Sequence, residues 1–292
     1  MLHDHRSGGW NAVREQVGDA TRRLTAAGVA SPRTDAEILA ANVLDVPRAR
    51  VALAGGFTSA QAAAYGSLVE RRAAGEPLQH ITGVAGFRRL ELAVGPGVFV
   101  PRPETEVLVD WALADLQGRG GAPVVVDLCT GTGAVALAIA TEHPSASVHA
   151  VESADEAYAW ARHNLADAPV RLHHADAASC LAELDAGVDL VVANPPYVPA
   201  GTQLPPEVRH DPAAALFAGA DGLDGVRTVA HTASRLLRPG GALACEHDAL
   251  HGESAPAVLA SLPYWERVED HRDLAGRPRF VTAYRTAESY LP

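Results

Sequence analysis

Apolar residues recur at helical spacing through the first part of the chain. Trp10, Val13, Val17, Leu24 and Val29 fall close to one face of a helix, and Gly28 is placed to end it. Ser31-Pro32 restarts the chain, with Pro suited to a first helical turn. Ala36, Ile38, Leu39 and Val43 then share one predicted face. Thr58-Ser59 offers a cap for a third helix running through Leu68 to about Ala74. No two-residue alternation appears here. Residues 1–83 are read as a small helical domain.

The pattern changes after that. Residues 87–94 alternate apolar and polar, Gly95-Pro96-Gly97 reads as a turn, and Val98-Phe99-Val100 follows. This predicts a β-hairpin linker over residues 84–101. From 102 to 292 short apolar runs alternate with helical patterns. Strands are predicted at 124–128, 148–151, 170–173, 188–193 and 241–246, and helices at 134–141, 154–164 and 226–237. Two more strands are predicted near 265–270 and 279–284. Regular strand–helix alternation predicts an α/β domain with a parallel, doubly wound sheet.

Composition narrows the chemistry. The 292 residues are 48% hydrophobic and 20% charged, which suits a packed core and argues against wholesale disorder. Every basic residue other than histidine is arginine, so lysine Schiff-base and P-loop chemistry are excluded. The net charge of −11 divides into +3 over residues 1–90 and −14 over the remainder. An acidic body is a poor non-specific partner for phosphate backbones, although solubility alone can account for it. Cys129, Cys180 and Cys245 are far apart, outside any CxxC, and form neither a disulfide framework nor a zinc pattern. The first residues carry no apolar run, and no stretch reads as a membrane span. The expectation is a cytoplasmic protein without signal peptide or metal.

The first candidate site follows the strand at 124–128. Asp127-Leu-Cys129-Thr130-Gly131-Thr-Gly133 carries a buried strand into a Gly-rich turn and then a helix. Glycines let a ligand approach the backbone, and a helix start offers unpaired N–H groups. Glu152 ends the next strand, where an acid can hold two ribose hydroxyls. The turn lacks the GxGxxG of dinucleotide sites. A carboxylate at Asp127 suits the ammonium of a methionine moiety instead, which favours S-adenosylmethionine. Asp176, after the third strand, is placed to meet an adenine amino group or to cap a helix. His173 and His174 read as packed or solvent-facing rather than as ligands.

The second candidate site, Asn194-Pro195-Pro196-Tyr197, closes the fourth strand of the sheet. Two prolines fix the backbone and remove two N–H donors. The Asn194 side chain and the Pro195 carbonyl then offer two acceptors to one planar NH₂ group, and Tyr197 offers an aromatic wall. An amide nitrogen is a poor nucleophile because its lone pair is delocalised. Two acceptors that favour its pyramidalisation localise that pair toward a methyl donor, so the chemistry needs positioning and charge stabilisation more than a strong base.

Together these residues resemble the HemK/PrmC family of protein-(glutamine-N5) methyltransferases. The resemblance covers nearly the whole chain. It runs through Gly75-Glu-Pro-Leu-Gln-His-Ile-Thr-Gly83, Phe99-Val-Pro-Arg-Pro-Glu-Thr-Glu106, Asn194–Tyr197, Pro206-Glu-Val-Arg209 and Leu216–Leu223. It implies a class I, Rossmann-like methyltransferase domain with a seven-stranded, mainly parallel sheet, a helical substrate-recognition domain and a hairpin linker. It implies that the substrate is the glutamine of the Gly-Gly-Gln tip of peptide chain release factors. Asp127, Thr130, Gly131 and Gly133 would hold the methionine part of S-adenosylmethionine, Glu152 the ribose, and Asp176 and Ala177 the adenine. Phe99 and Pro101 would close over the cofactor. Asn194, Pro195, Pro196 and Tyr197 would hold the substrate amide. Cys129 departs from the family, which has a glycine there.

Asn-Pro-Pro-Tyr also suits the exocyclic amino groups of adenine, cytosine or guanine. The acidic body and the lack of a basic, aromatic-rich target domain argue against nucleic acid. A paralogue acting on another protein and a non-enzymatic binding module are further alternatives. A monomer is expected, with no direct nucleic-acid or membrane partner.

Overall fold

The structure is a computed structural model. It describes residues 7–287, with side chains from Val13 onward, so the Trp10 side chain lies outside the described residues. Contacts divide the chain into two units. One runs to Gly83 and includes Leu204–His210; the other comprises Val84–Gln203 and the chain from Asp211.

The first unit holds α1 (Ser7–Ala26), α2 (Pro32–Leu44), α3 (Ser59–Ala73) and α4 (Leu78–Thr82). Gly28 turns the chain with a positive φ of 76°. The Thr58 hydroxyl accepts from Gln61 N at 3.2 Å, and Gln61 Oε1 accepts from Thr58 N at 3.0 Å, a reciprocal cap that starts α3. Val13, Val17, Leu24, Leu39 and Val69 form its core. Ile38, expected on the buried face of α2, is only half-buried. The charged Asp35 is buried instead, because Arg72 donates to its Oδ2 at 2.8 Å. Arg72 also donates to Glu207 at 2.9 Å. The helix α4 and a 3₁₀ turn at Arg48–Leu53 escape the sequence pattern, being too short to show a period.

The second unit opens with a hairpin of β1 (Val84–Phe87) and β2 (Leu90–Ala93). The chain reverses at Arg88-Arg89, earlier than the Gly-Pro-Gly turn the sequence suggested. Val98 and Val100 are buried but belong to no strand. Arg88 takes a positive φ of 53°, which tight hairpin turns favour and which usually calls for Gly or Asn. Tertiary contacts hold it there. Its N–H donates to Glu106 Oε1 at 2.9 Å, and its guanidinium bridges Glu142 and Asp110.

The sheet domain follows in chain order. Its elements are α5 (Glu106–Gln117), β3 (Val124–Leu128), α6 (Ala134–Glu142), β4 (Ser147–Glu152), α7 (Asp155–Asn164), β5 (Val170–His174) and β6 (Val188–Ala193). Then come α8 (Ala213–Leu216), α9 (Asp224–Leu236), β7 (Leu237–Glu246), α10 (Ser254–Ala260), β8 (Trp265–Arg272) and β9 (Pro278–Arg285). The seven strands lie in the order β5-β4-β3-β6-β7-β9-β8. The first five are parallel; β9 is antiparallel to both β7 and β8. A short turn closed by Asp273 N donating to Arg277 O at 2.8 Å joins β8 to β9, and so short a link allows only antiparallel pairing.

Alternate residues of each strand feed two cores. Val125, Leu190, Val192 and Ala244 pack with Leu108 and Leu116 of α5 and Ile139 of α6. Val126, Leu128, Val191 and Leu243 pack with Val229, Ala233 and Leu236 of α9 and Leu259 of α10. Helices thus cover both faces of the sheet. The strand order reverses between β3 and β6, which opens a crevice at the carboxyl ends of β3, β4 and β6. Among the described residues, no helix is long and apolar enough to cross a membrane.

Candidate active site

One cleft in the second unit brings together most of the residues singled out from sequence. Phe99, Pro101, Asp127, Thr130, Gly131, Glu152, Asn194, Pro196 and Tyr197 all line it.

Its floor is the turn after β3. Cys129, Gly131 and Gly133 have φ of 61°, 58° and 84°. Gly133 abuts Leu165, which a Cβ would meet at 3.0 Å. Asp127 is 1% exposed and has no cationic partner among the described residues. Its Oδ2 accepts from Thr130 Oγ1 at 2.5 Å and from Ala136 N at 3.1 Å. Burial pushes its carboxyl up to about 7, against these two hydrogen bonds and with help from the charge of Glu152. A buried acid so poised, facing a cleft, suits a cationic group.

Glu152 is clamped at the end of β4. Its Oε2 accepts from Gly131 N at 2.9 Å, and its Oε1 from Ser153 N and Ala154 N, each at 2.9 Å. The carboxylate is thereby locked beside the Gly-rich turn. Burial and the neighbouring Glu152 and Asp127 push the Cys129 thiol well above its ordinary range, so it is held as a neutral thiol.

The segment before α5 forms one wall. The Arg102 guanidinium stacks on the Phe99 ring at 5.0 Å and donates to the buried Asp211 carboxylate at 2.8 Å. Just beyond Asp211, Pro212, Ala214, Ala215 and Leu216 line the cleft too. Arg102 therefore ties two parts of its rim together.

Asn194 leaves β6 beside that same segment. Its Nδ2 donates to Thr105 Oγ1 at 3.3 Å. The Leu216 carbonyl accepts from Tyr197 N at 3.1 Å and Val198 N at 2.7 Å, which pins the loop after the prolines. Pro195 does not line the cleft; its ring packs on Gly225 at the start of α9, where a Cβ would lie 3.0 Å from Pro195 Cβ and overlap the Pro196 carbonyl. Gly133, Asp176 and Ala177 do not line the cleft either. Asp176 is exposed and accepts from Ala178 N at 2.8 Å, capping its own turn. His173 stacks on His149 and His174 on Tyr158.

Sequence reasoning missed Thr105, Arg102, Gly225 and Glu246. The first two lie inside the segment 99–106 that carried the resemblance, so a signal was present. Glu246, at the end of β7, gave none. It is 1% exposed, and its Oε2 is buried with no hydrogen-bond partner among the described residues. Burial raises it to about 7, with Arg279 opposing.

A doubly wound sheet with one reversed strand near its edge, and a Gly-rich turn and an Asn-Pro-Pro-Tyr loop at its switch point, define a class I methyltransferase domain. Comparison with known proteins carries this further. The PrmC N-terminal domain family matches residues 16–83, and the methyltransferase small domain family matches residues 96–221. The release factor glutamine methyltransferase of Streptomyces coelicolor is 49% identical over 280 residues, covering 94% of this chain and 98% of that protein. That of Mycolicibacterium smegmatis is 49% identical over 280 residues, covering 95% and 99%. That of Deinococcus radiodurans is 42% identical over 280 residues, covering 94% and 98%. The chain belongs to the release factor glutamine methyltransferase family.

Proposed function

We propose that the chain methylates the side-chain nitrogen N5 of the glutamine in the Gly-Gly-Gln tip of peptide chain release factors, with S-adenosylmethionine as donor. The observation that carries this reading is that a single cleft is lined both by Asp127 and Glu152 and by Asn194 and Tyr197. A donor-type site and an amide-type site there face a common space.

The cofactor supplies a methyl group on an already activated sulfonium. The residues fit it. Asp127, buried without a cation, suits its ammonium; Glu152, clamped by three N–H groups, suits a ribose diol. Thr130, Gly131 and Gly133 shape the turn beneath, and Phe99 and Pro101 shield the site from water. Asp176 and Ala177, next along the sheet edge, would meet adenine only at the margin of the cleft. Asn194 Oδ1, in the cleft wall, accepts from the substrate NH₂ and draws the nitrogen lone pair out of conjugation, while Pro195, behind that wall, holds the loop that carries it. This acceptor strengthens as the nitrogen gains positive character, so it favours the transition state over the bound amide. Tyr197 and Pro196 wall the amide in, and the released proton passes to water.

In this reading the helical unit, residues 1–83, takes part in docking the release factor, and the protein works in the cytoplasm as a monomer. Asn194→Ala should lower kcat by roughly a hundredfold or more, as loss of an oriented charge-stabilising acceptor does. Cofactor affinity by titration calorimetry should change little. Mass spectrometry of release factor after incubation should show one added methyl on the tip peptide. Label appearing in ribosomal RNA or DNA and none in release factor would overturn the assignment.

A further inference from the structure

The helix α7 starts just after Glu152 and carries Glu156, Trp160 and Asn164 at intervals of four residues, one stripe along its surface. The chain from Ala93 to Gly97 runs along this stripe in the opposite direction. At one end Asn164 Oδ1 accepts from Ala93 N at 2.9 Å and Asn164 Nδ2 donates to Ala93 O at 3.0 Å, as a neighbouring strand would. In the middle Trp160 Nε1 donates to Pro96 O at 3.1 Å. The approach is close. A Cβ on Gly95 would lie 2.6 Å from Trp160 Cζ2, and one on Gly97 would overlap Glu156 Oε2. These two glycines let the chain lie flat on α7, and Gly97 also needs its positive φ of 88°. The same segment goes on to line the cleft with Gly97, Val98, Phe99 and Pro101.

Asn164 makes one contact more. Its Nδ2 also donates to Thr132 O at 3.0 Å, in the Gly-rich turn that forms the floor of the cleft. The next residue, Leu165, fills the space beside Gly133. At the other end of α7 the Glu152 carboxylate accepts from Gly131 N at 2.9 Å. The Asn164 carboxamide cannot be reversed, since that would set its oxygen against the Ala93 and Thr132 carbonyls. One side chain thus ties together two segments of the chain that line the cleft.

We propose that the Glu156–Trp160–Asn164 face of α7 is the positioning frame of the donor site, with Asn164 the link that sets the wall segment 95–101 against the Gly-rich turn. This rests on the reading of the cleft as a donor site given above. None of the three residues lines the cleft, so they act through Phe99, Pro101 and the turn. Their contribution is preorganisation: wall and floor already stand at the right separation when the donor arrives.

The test measures S-adenosylmethionine affinity by calorimetry and its dissociation by stopped-flow fluorescence, beside steady-state kinetics with release factor. Asn164→Leu keeps the bulk and removes all three hydrogen bonds. It should weaken donor binding roughly tenfold or more, through faster dissociation, while KM for release factor at saturating donor moves by less than about threefold. Asn164→Asp still accepts from Ala93 N but cannot donate to either carbonyl, and should lose as much. The double variant Asn164→Leu/Phe99→Ala should bind the donor about as weakly as the weaker single variant, since Asn164 acts by placing the wall. Parental donor affinity in Asn164→Leu or Asn164→Asp would overturn the frame, as would losses that add in the double variant. Equal losses toward donor and release factor would also overturn it, because they mark a general weakening of the fold. If Asn164→Leu fails to fold, Gly95→Ala takes its place. Its methyl must part the wall segment from Trp160 and should weaken donor binding too; parental affinity there overturns the frame equally. Failure of the parent protein to bind S-adenosylmethionine would sink the reading of the cleft itself. A parent that binds it beside an equally tight Asn164→Leu would sink the frame alone.

Discussion

Cys129 occupies a position whose φ of 61° favours glycine. A non-glycine residue in the left-handed region costs about 1–2 kcal/mol. Cys129→Gly relieves that strain but adds freedom to the unfolded chain, worth about 0.4–1 kcal/mol in the opposite sense. Denaturant titration should therefore find the variant equal to the parent or up to about 1.6 kcal/mol more stable. Donor binding should be retained, since the thiol makes no hydrogen bond that the site needs. Asp127 carries the clearest pH signature. With its carboxyl at about 7 in the free protein, it is protonated in acid and must ionise to receive a cation. An ammonium beside it lowers that value, so binding releases a proton below pH 7. Calorimetry should show donor affinity highest above about pH 7 and falling by up to about tenfold per pH unit beneath it. Asp127→Asn should bind more weakly at neutral pH and lose this dependence.

At the scale of elements, the Asn-Pro-Pro-Tyr loop is held from behind as much as shaped by its own prolines. The start of α9 lies against Pro195 and Pro196, and Gly225 is the residue that allows the approach. Any side chain there must push the two prolines toward the cleft or tilt α9. Gly225→Ala should cut kcat by about tenfold or more, as small misplacements of reacting groups do. Donor affinity should hold, because the turn after β3 is untouched. Equal losses in both would show that α9 supports the whole cleft rather than this loop. The hairpin teaches a related lesson. Arg88-Arg89 carries no turn signature, and the visible Gly-Pro-Gly lies in the wrong place. The turn forms because Glu106, Glu142 and Asp110 are positioned by α5 and α6 to receive Arg88.

At the scale of the molecule, the −11 charge does not describe each unit equally. The helical part is slightly basic and buries one of its own ion pairs. Arg72 joins Asp35 of α2 to Glu207, a residue more than a hundred positions further along the chain, in the segment 204–210 that belongs to the same unit. Removing one partner of a buried pair leaves an uncompensated charge and costs about 3–5 kcal/mol. Arg72→Ala should lower stability by that order in chemical denaturation. Replacing Arg72 and Asp35 together by Met and Leu should cost far less. Equal destabilisation by the single and double variants would mean that packing, not charge, is what Arg72 provides. The contact with the half-exposed Glu207 should contribute little to stability on its own.

The sequence by itself determined the elements long enough to show a period. α1, α2, α3 and the strands from β3 to β7 carry it in their own residues. So do the Gly-rich turn and the Asn-Pro-Pro-Tyr loop, whose special backbone needs special residues. It also placed Asp127, Glu152 and Asn194 at strand ends, because open α/β sheets collect ligands there. Tertiary structure alone decided the rest. The reversal at Arg88, the burial of Asp35 and the place of β9 between β7 and β8 depend on partners distant in the chain. So does the contact of Asn194 Nδ2 with Thr105 Oγ1. A buried polar residue takes its meaning from what it faces, and only the folded chain sets that.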